Sequence, residues 1–255
     1  YVYIIDEGNP METNNLCCDL YYEGLDATWN DDQDDRWGEP GEEDLVPDIY
    51  TGRVCADNSA EAQNFIDKLL AYERQPVLGD VETAAFFGEY LWTDTWGEMY
   101  MEEIRLGSDS WGYTTAGVPL TWDTYTYYEM SGNWSGSDYI NRMNSGTHQM
   151  HHLGHSSSSY NAKVYTSDIS SFTANGVDHI HNVGYSQGCD AGSFDTSDAI
   201  LEQFILSPTG YVAWVGNTRY GFGIHYTTNG SSQYYHRQYV DALFGEGIHR
   251  LGAAN

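Results

Sequence analysis

The sequence predicts an α/β fold with a mostly parallel sheet covered by helices. Short apolar runs that end at glycine or at a polar residue predict strands at residues 1–5, 83–87, 147–153, 177–184 and 210–215. Apolar side chains at helical spacing predict one helix over residues 59–73, capped by Ser59, and another after residues 195–197. The strand, helix and strand over residues 177–215 form a βαβ unit, which is typical of parallel sheets.

The composition indicates a folded and strongly acidic protein. Of the 255 residues, 40% are hydrophobic, and the 22 tyrosines and 8 tryptophans are far more than a disordered chain contains. The 38 acidic residues against 10 basic ones give a formal net charge of −28, so we expect no nucleic-acid partner. No stretch approaches 18 consecutive apolar residues, so we expect no membrane span.

The chain opens on an apolar run, without an initiator methionine or a signal peptide, and this predicts a part of a longer precursor. Its four cysteines are Cys17, Cys18, Cys55 and Cys189, and no CxxC spacing occurs. A zinc knuckle is therefore not expected. One of the adjacent pair could bond to Cys55, which would leave Cys189 free.

Three chemically competent side chains follow the carboxyl ends of predicted strands: Glu89, His155 and Cys189. In parallel sheets ligands bind at that edge, so the shared placement predicts a site. Cys189 lies in a turn rich in glycine and small residues, and a histidine within hydrogen-bond reach would activate its thiol. Backbone amides near Ser156 and Cys189 could hold an oxyanion. The alternative is a buried structural thiol or half of a disulfide.

The histidines at 148, 151, 152 and 155 allow a second interpretation, because on a helix they could present a metal-binding face. On a strand the same spacing would scatter them over both faces. The run also lacks the glutamate that hydrolytic zinc helices use as a base.

An acidic stretch resembles a calcium-binding loop, because Ca²⁺ takes six to eight oxygen ligands. It lacks the glycine of an EF-hand turn, and a solvated acidic loop is the alternative. The candidate ligands are Asp31, Asp32, Asp34, Asp35 and Glu39.

Several blocks in this order resemble the gingipain-type cysteine peptidases, relatives of caspases and legumains. The blocks are PDIYTGR at residues 47–53, the helix ending KLLAYE at 68–73, Gly154-His155, and GCDAGSFD at 188–195. The resemblance covers about residues 1–223. It implies a caspase-like three-layer α/β sandwich, a His155–Cys189 dyad that cleaves peptide bonds, and calcium sites.

The resemblance also implies that a carboxylate orients the histidine, and Glu89 matches it, with Asp94 as a second choice. Two departures matter. Ser156 stands where the family usually has glycine, which narrows the pocket. Arg219 follows the strand after the nucleophile, in a region that helps to line the specificity pocket of relatives, so a basic residue before the scissile bond is disfavoured.

The sequence therefore predicts two lobes, a structural and calcium-loaded one over residues 1–76 and a catalytic one over residues 77–255. The predicted function is a secreted or cell-surface cysteine endopeptidase acting on proteins or peptides. A transpeptidase of the same fold and a catalytically silent surface binding module are the alternatives.

Overall fold

A computed structural model describes residues 2–4 and 16–255. Of the strand predicted over residues 1–5, Val2–Ile4 is a strand that pairs antiparallel with Leu16–Cys18, and residues 1 and 5 lie outside the described residues. The rest of the described chain is built around one five-stranded sheet.

The central strands are β1 (Thr83–Gly88), β2 (Asp123–Tyr128), β3 (Gln149–Leu153), β4 (Asn182–Ser186) and β5 (Tyr211–Gly216). They lie in the order β5-β4-β3-β1-β2, and every neighbouring pair is parallel. The all-parallel sheet confirms the predicted α/β class. The boundaries of β4 differ from the prediction of 177–184, because residues 177–181 form bends and a connecting segment before the strand begins.

The described helices are α1 (Leu20–Glu23), α2 (Ser59–Arg74), α3 (Gly97–Leu106), α4 (Gly136–Asn144), α5 (Ile200–Leu206), α6 (Ser231–Phe244) and α7 (Leu251–Ala254). Asn58, rather than the predicted Ser59, caps α2, because its side chain accepts from the amides of Ala60 and Glu61. Residues 195–197 do not cap α5, which starts later. Within the described residues, no helix combines the length and apolarity that crossing a bilayer requires.

Helices cover both faces of the sheet, which makes three layers. Phe86 and Phe87 are adjacent in β1 and therefore point to opposite faces. Phe87 packs in a core with Tyr139 of α4 and Phe204 of α5. Phe86 belongs to a second core formed with α3, α6 and α7. Burial on both faces explains why β1, β3 and β4 are buried along their whole length.

A buried lysine joins α2 to the edge of this sheet. Lys68 is 2% exposed, and its Nζ donates to the carbonyl oxygens of Ile205 at the end of α5 and Tyr211 at the start of β5. Burial lowers the pKa of Lys68 to about 7. The segment that precedes the sheet is thus attached to it by a buried amine whose charged form is costly to keep out of water.

This burial predicts a pH dependence of stability. The unfolded lysine has a pKa near 10.4, so between about pH 7 and pH 10 the unfolded chain holds a proton that the folded chain has released. The free energy of unfolding of the parent should therefore rise by about 2 kcal/mol from pH 7 to pH 9 relative to Lys68→Met. Urea unfolding at the two pH values measures this difference, and parallel pH profiles would show that Lys68 remains charged when folded.

Candidate active site

The three predicted site residues emerge together at the carboxyl edge of the sheet. The strands β1, β3 and β4 are parallel neighbours, with β3 in the middle. Glu89 follows β1, His155 lies just beyond β3, and Cys189 lies just beyond β4. The arrangement places these loops side by side, as the sequence predicted.

A hydrogen bond joins the loop of His155 to the loop of Cys189. The hydroxyl of Ser156 donates to the carbonyl oxygen of Cys189 at 2.6 Å. Gly188 approaches the same hydroxyl so closely that a Cβ at residue 188 would overlap it. The serine that replaces the expected glycine therefore fixes the spacing between the two loops. Asp190, which follows, has a left-handed φ of 55°, a conformation that costs energy in a non-glycine residue.

The sulfur of Cys189 also receives a main-chain donor from the segment after β5. The amide of Gly221 donates to Cys189 Sγ at 3.3 Å. Asn217 steadies the loop from the same side, with Nδ2 donating to the carbonyl oxygens of Gln187 at 3.0 Å and Gly188 at 3.1 Å. A Cβ at residue 221 would overlap the carbonyl of Gln187, so only glycine brings this amide to the sulfur. The carbonyl oxygen of Gly221 lies 4.0 Å from the same sulfur, so both main-chain groups of Gly221 face Cys189.

Glu89 is buried behind His155. Its side chain is 4% exposed, and Oε2 accepts the backbone N–H of His155 at 3.1 Å, while Oε1 lies 3.0 Å from Nε2 of His152. Burial opposes ionisation, but the hydrogen bond and charge of His152 and the amide of His155 hold the pKa of Glu89 below its usual range. The second-choice carboxylate, Asp94, lies 3.2 Å from His225 instead.

The imidazole of His155 is exposed, as a base that meets a substrate must be. The role of Glu89 in orienting His155 stays a prediction. The role of the amides at residues 156 and 189 in holding an oxyanion also stays a prediction.

The other three histidines of the run are engaged separately and do not form a metal face. His148 lies 2.8 Å from the carbonyl of Val81, and His151 lies 2.9 Å from His236. His152 points to the opposite face of β3, toward Glu89. Within residues 16–255, no group of three metal-binding side chains includes these histidines. The strand geometry that we expected to scatter them does so.

Arg219 forms a bidentate ion pair with Asp195. Its NH1 and NH2 lie 3.0 Å and 2.8 Å from the two carboxylate oxygens, and NH1 also lies 3.5 Å from the sulfur of Cys17. The hydrogen bonds to Asp195 raise the pKa of Arg219 still further above its usual range. The guanidinium is thus engaged by a partner within the protein, and the substrate-binding role of Arg219 stays a prediction.

Part of the acidic loop forms a cation-sized cluster. Carboxylate oxygens of Asp32, Glu39 and Glu42 all lie within 4.8 Å of one another. Glu42 Oε2 and Asn30 Oδ1 are buried and have no hydrogen-bond partner among the described residues. Gln33 has a φ of 61°, a left-handed conformation that is uncommon for a residue other than glycine. Clustered carboxylates and a nearby oxygen that accepts no hydrogen bond are the kind of ligand atoms that Ca²⁺ prefers.

Of the five predicted ligands, only Asp32 and Glu39 join that cluster, and Glu42 was not predicted. Asp31 accepts from the hydroxyl of Thr28, and Asp34 accepts from the amide of Arg36 at 2.6 Å. A second acidic group, which the sequence analysis did not identify, contains Asp26, Asp44 and Asp48.

Cys17, Cys18 and Cys55 are free thiols. Cys17 donates to Asp195 at 3.3 Å, and burial raises the pKa of the Cys55 thiol to about 12. A disulfide between Cys55 and either of the adjacent cysteines is therefore not formed in this structure.

Sequence reasoning missed Gly221, Asn217 and His152 as parts of the site. Gly221 contributes its main-chain amide, which no pattern of side chains can reveal. His152 was considered only as a metal ligand. One signal for His152 was available: a buried carboxylate such as Glu89 requires a hydrogen-bond donor within the protein.

The crowding at Gly154 gives a testable prediction. A Cβ at residue 154 would overlap the carboxylate of Glu89 and lie 2.6 Å from His152 Nε2. We expect Gly154→Ala to slow alkylation of Cys189 by iodoacetamide at least ~10-fold and to lower the free energy of unfolding by about 1–3 kcal/mol. The control is Gly79→Ala, because a Cβ at residue 79 meets nothing within 4 Å. Equal behaviour of the two variants would contradict the packing described here.

Comparisons with known proteins agree with this fold. The model of peptidase family C25 matches residues 3–255. No curated protein matches the chain. A crystal structure of the Arg-specific cysteine proteinase gingipain R (RgpB) is similar, with a TM-score of 0.62 and 16% identity over 80% of this chain and 46% of that one.

A complex of Porphyromonas gingivalis RgpB pro- and mature domains has a TM-score of 0.56 at 15% identity, over 77% of this chain and 46% of that one. A structure described only as a protease has a TM-score of 0.59 at 15% identity, over 92% and 55%. The chain spans about half the length of these structures, and the likeness confirms the caspase-like fold. Since the family model matches nearly the whole sequence, the chain belongs to peptidase family C25, the gingipain-type family that its motifs resembled.

Proposed function

We propose that this chain is the catalytic domain of a cysteine endopeptidase, with Cys189 as nucleophile and His155 as general base. The observation that carries the proposal is the junction of the two loops: Ser156 binds the carbonyl of Cys189, and the amide of Gly221 donates to its sulfur. The exposed imidazole and the half-buried thiol thus lie on loops that are joined to each other at the carboxyl edge of the sheet. Membership of a peptidase family supports the same reaction class.

In the proposed reaction His155 removes the proton of the Cys189 thiol, and the thiolate attacks the carbonyl carbon of a peptide bond. The amides of Ser156 and Cys189 hold the oxygen of the tetrahedral intermediate. His155 then donates its proton to the leaving amine, and water hydrolyses the resulting thioester. Glu89 keeps the main chain of His155 in place throughout. We also propose that Arg219 shapes the wall of the substrate cleft.

The test is cleavage of a quenched fluorescent peptide library by purified protein. We expect the parent to cleave it, Cys189→Ala to abolish cleavage, and His155→Ala to lower kcat at least ~10³-fold. Cys55→Ala is the matched control, because it removes another half-buried thiol with its pKa raised to about 12, and it should cleave as the parent does. Undiminished cleavage by Cys189→Ala would end the proposal.

We propose in addition that the cluster of Asp32, Glu39 and Glu42 binds Ca²⁺. The support is the proximity of the three carboxylates and the buried Glu42 Oε2, which has no hydrogen-bond partner within the part of the chain that the structure describes. A bound cation would supply charge neutralisation in a loop where carboxylates repel one another. The similar pro- and mature-domain complex suggests release from a longer precursor, and we propose export to a calcium-containing medium, which detection of the chain outside the cell would test.

Calcium binding should be visible in thermal unfolding. Ca²⁺ at about 100 times its dissociation constant should stabilise the parent by about 2.7 kcal/mol, because it binds the folded chain alone. Glu42→Gln should lose most of this stabilisation. Asp67→Asn on the exposed face of α2 removes one acidic charge elsewhere and should keep it. A loss of equal size in both variants would indicate general charge screening.

A further inference from the structure

A second histidine lies behind the proposed dyad, and its ring is completely buried. His152 is 0% exposed. Its Nε2 lies 3.0 Å from Glu89 Oε1, and its Nδ1 lies 2.8 Å from the hydroxyl oxygen of Ser186. Since Nε2 faces a carboxylate that cannot donate when ionised, Nε2 carries a proton and donates it.

Ser186 extends this contact to the loop of the nucleophile. Its hydroxyl oxygen accepts the backbone N–H of Gly188 at 3.1 Å and lies 2.8 Å from Asn161 Oδ1. Ser186 is 1% exposed, so water does not compete for these hydrogen bonds. Gly188 immediately precedes Cys189 in the chain.

The contacts form one continuous hydrogen-bonded bridge. It begins at the amide of His155, passes through Glu89, His152 and Ser186, and ends at the amide of Gly188. The side chains of the bridge come from β4, from β3 and from the end of β1. It therefore links the loop of His155 to the loop of Cys189, beneath the surface that a substrate would contact.

We infer that His152 is a positioning residue, which acts through Glu89 and Ser186 to hold the loops of His155 and Cys189 in their reactive relation. This inference rests on the proposed function. His152 cannot touch a substrate, because it is fully buried. Both of its ring nitrogens contact side chains of the bridge.

The role of His152 has an electrostatic part and a geometric part. Glu89 is 4% exposed, so its charge needs donors within the protein, and His152 supplies the side-chain donor. Without that donor the carboxylate would take up a proton or draw away from the amide of His155. Without Nδ1 the Ser186 hydroxyl would lose one of the partners that fix it under Gly188.

The experiment measures the rate at which iodoacetamide alkylates Cys189, followed by mass spectrometry of the peptide that contains it. This readout needs no known substrate. We expect His152→Leu to slow alkylation at least ~10-fold, and His152→Gln to slow it less, because the amide can still donate to Glu89. Ser186→Ala, which removes only a hydroxyl, should slow it several-fold. His181→Gln is the matched control, because His181 is 2% exposed at the opposite end of β4.

A double-mutant cycle separates positioning through Glu89 from general packing. If His152 acts through Glu89 and Ser186 alone, the double variant Glu89→Gln/His152→Leu should react more slowly than Glu89→Gln by no more than the several-fold loss seen in Ser186→Ala. With a peptide substrate, kcat should fall while KM stays within about twofold of the parent value.

Two results would overturn the inference. One is a double variant whose alkylation rate falls by the product of the two single-variant losses. The other is a parent-like rate in Ser186→Ala and in both His152 variants. Slowing of His181→Gln to the same extent would also overturn it, since any buried histidine would then serve. A parent whose Cys189 reacts no faster than Cys18 would instead refute the proposed dyad itself, which is a distinguishable result.

Discussion

Glu89 has to keep a negative charge where water cannot reach it, and much of the candidate site follows from this constraint. A buried carboxylate is stable only if donors within the protein replace its hydration. Those donors are the imidazole of His152 and the amide of His155, which both come from the adjacent strand and its loop. The carboxylate therefore determines where the chain after β3 can run.

The same constraint explains the glycines at this edge of the sheet. Gly154 lies between the two donors, and any side chain there would occupy the space of the Glu89 carboxylate. Gly88 and Gly97 bring the end of β1 against the start of α3, since a Cβ on either would lie within 2.8 Å of main-chain atoms of the other segment. Close backbone approach lets polar groups from three strands meet in a volume that would otherwise hold one or two side chains.

Sequence reasoning found the strands that are buried on both faces and missed elements with mixed polarity. The apolar runs near residues 83–87 and 210–215 match β1 and β5 within a residue. The edge strand β2 (Asp123–Tyr128) was missed because polar and aromatic residues alternate in it and it is partly exposed. Helix α6 was missed because its buried face includes Gln233, His236 and Arg237, which no apolar pattern reveals.

The candidate site divides in the same way. The placement of His155 and Cys189 at one edge of the sheet could be predicted, because the order of strands and polar residues along the chain shows which side chains follow strand ends. The amide of Gly221 and the bridge through Ser186 could not be predicted, because each depends on which strands become neighbours. Glu42 joins the acidic cluster from ten residues beyond Asp32, a proximity that depends on the path of the loop between them.

The segment before β1 contacts the far side of the loop that carries Cys189. Arg219 binds Asp195 beside the thiol of Cys17, and Arg53 lies over the ring of Phe194, 4.4 Å from its centroid. The charge of Arg219 is compensated within this contact by the carboxylate of Asp195. The turn that carries Cys189 is thus held from β3, from the segment after β5 and from the amino-terminal segment, so its left-handed Asp190 conformation can persist without a glycine.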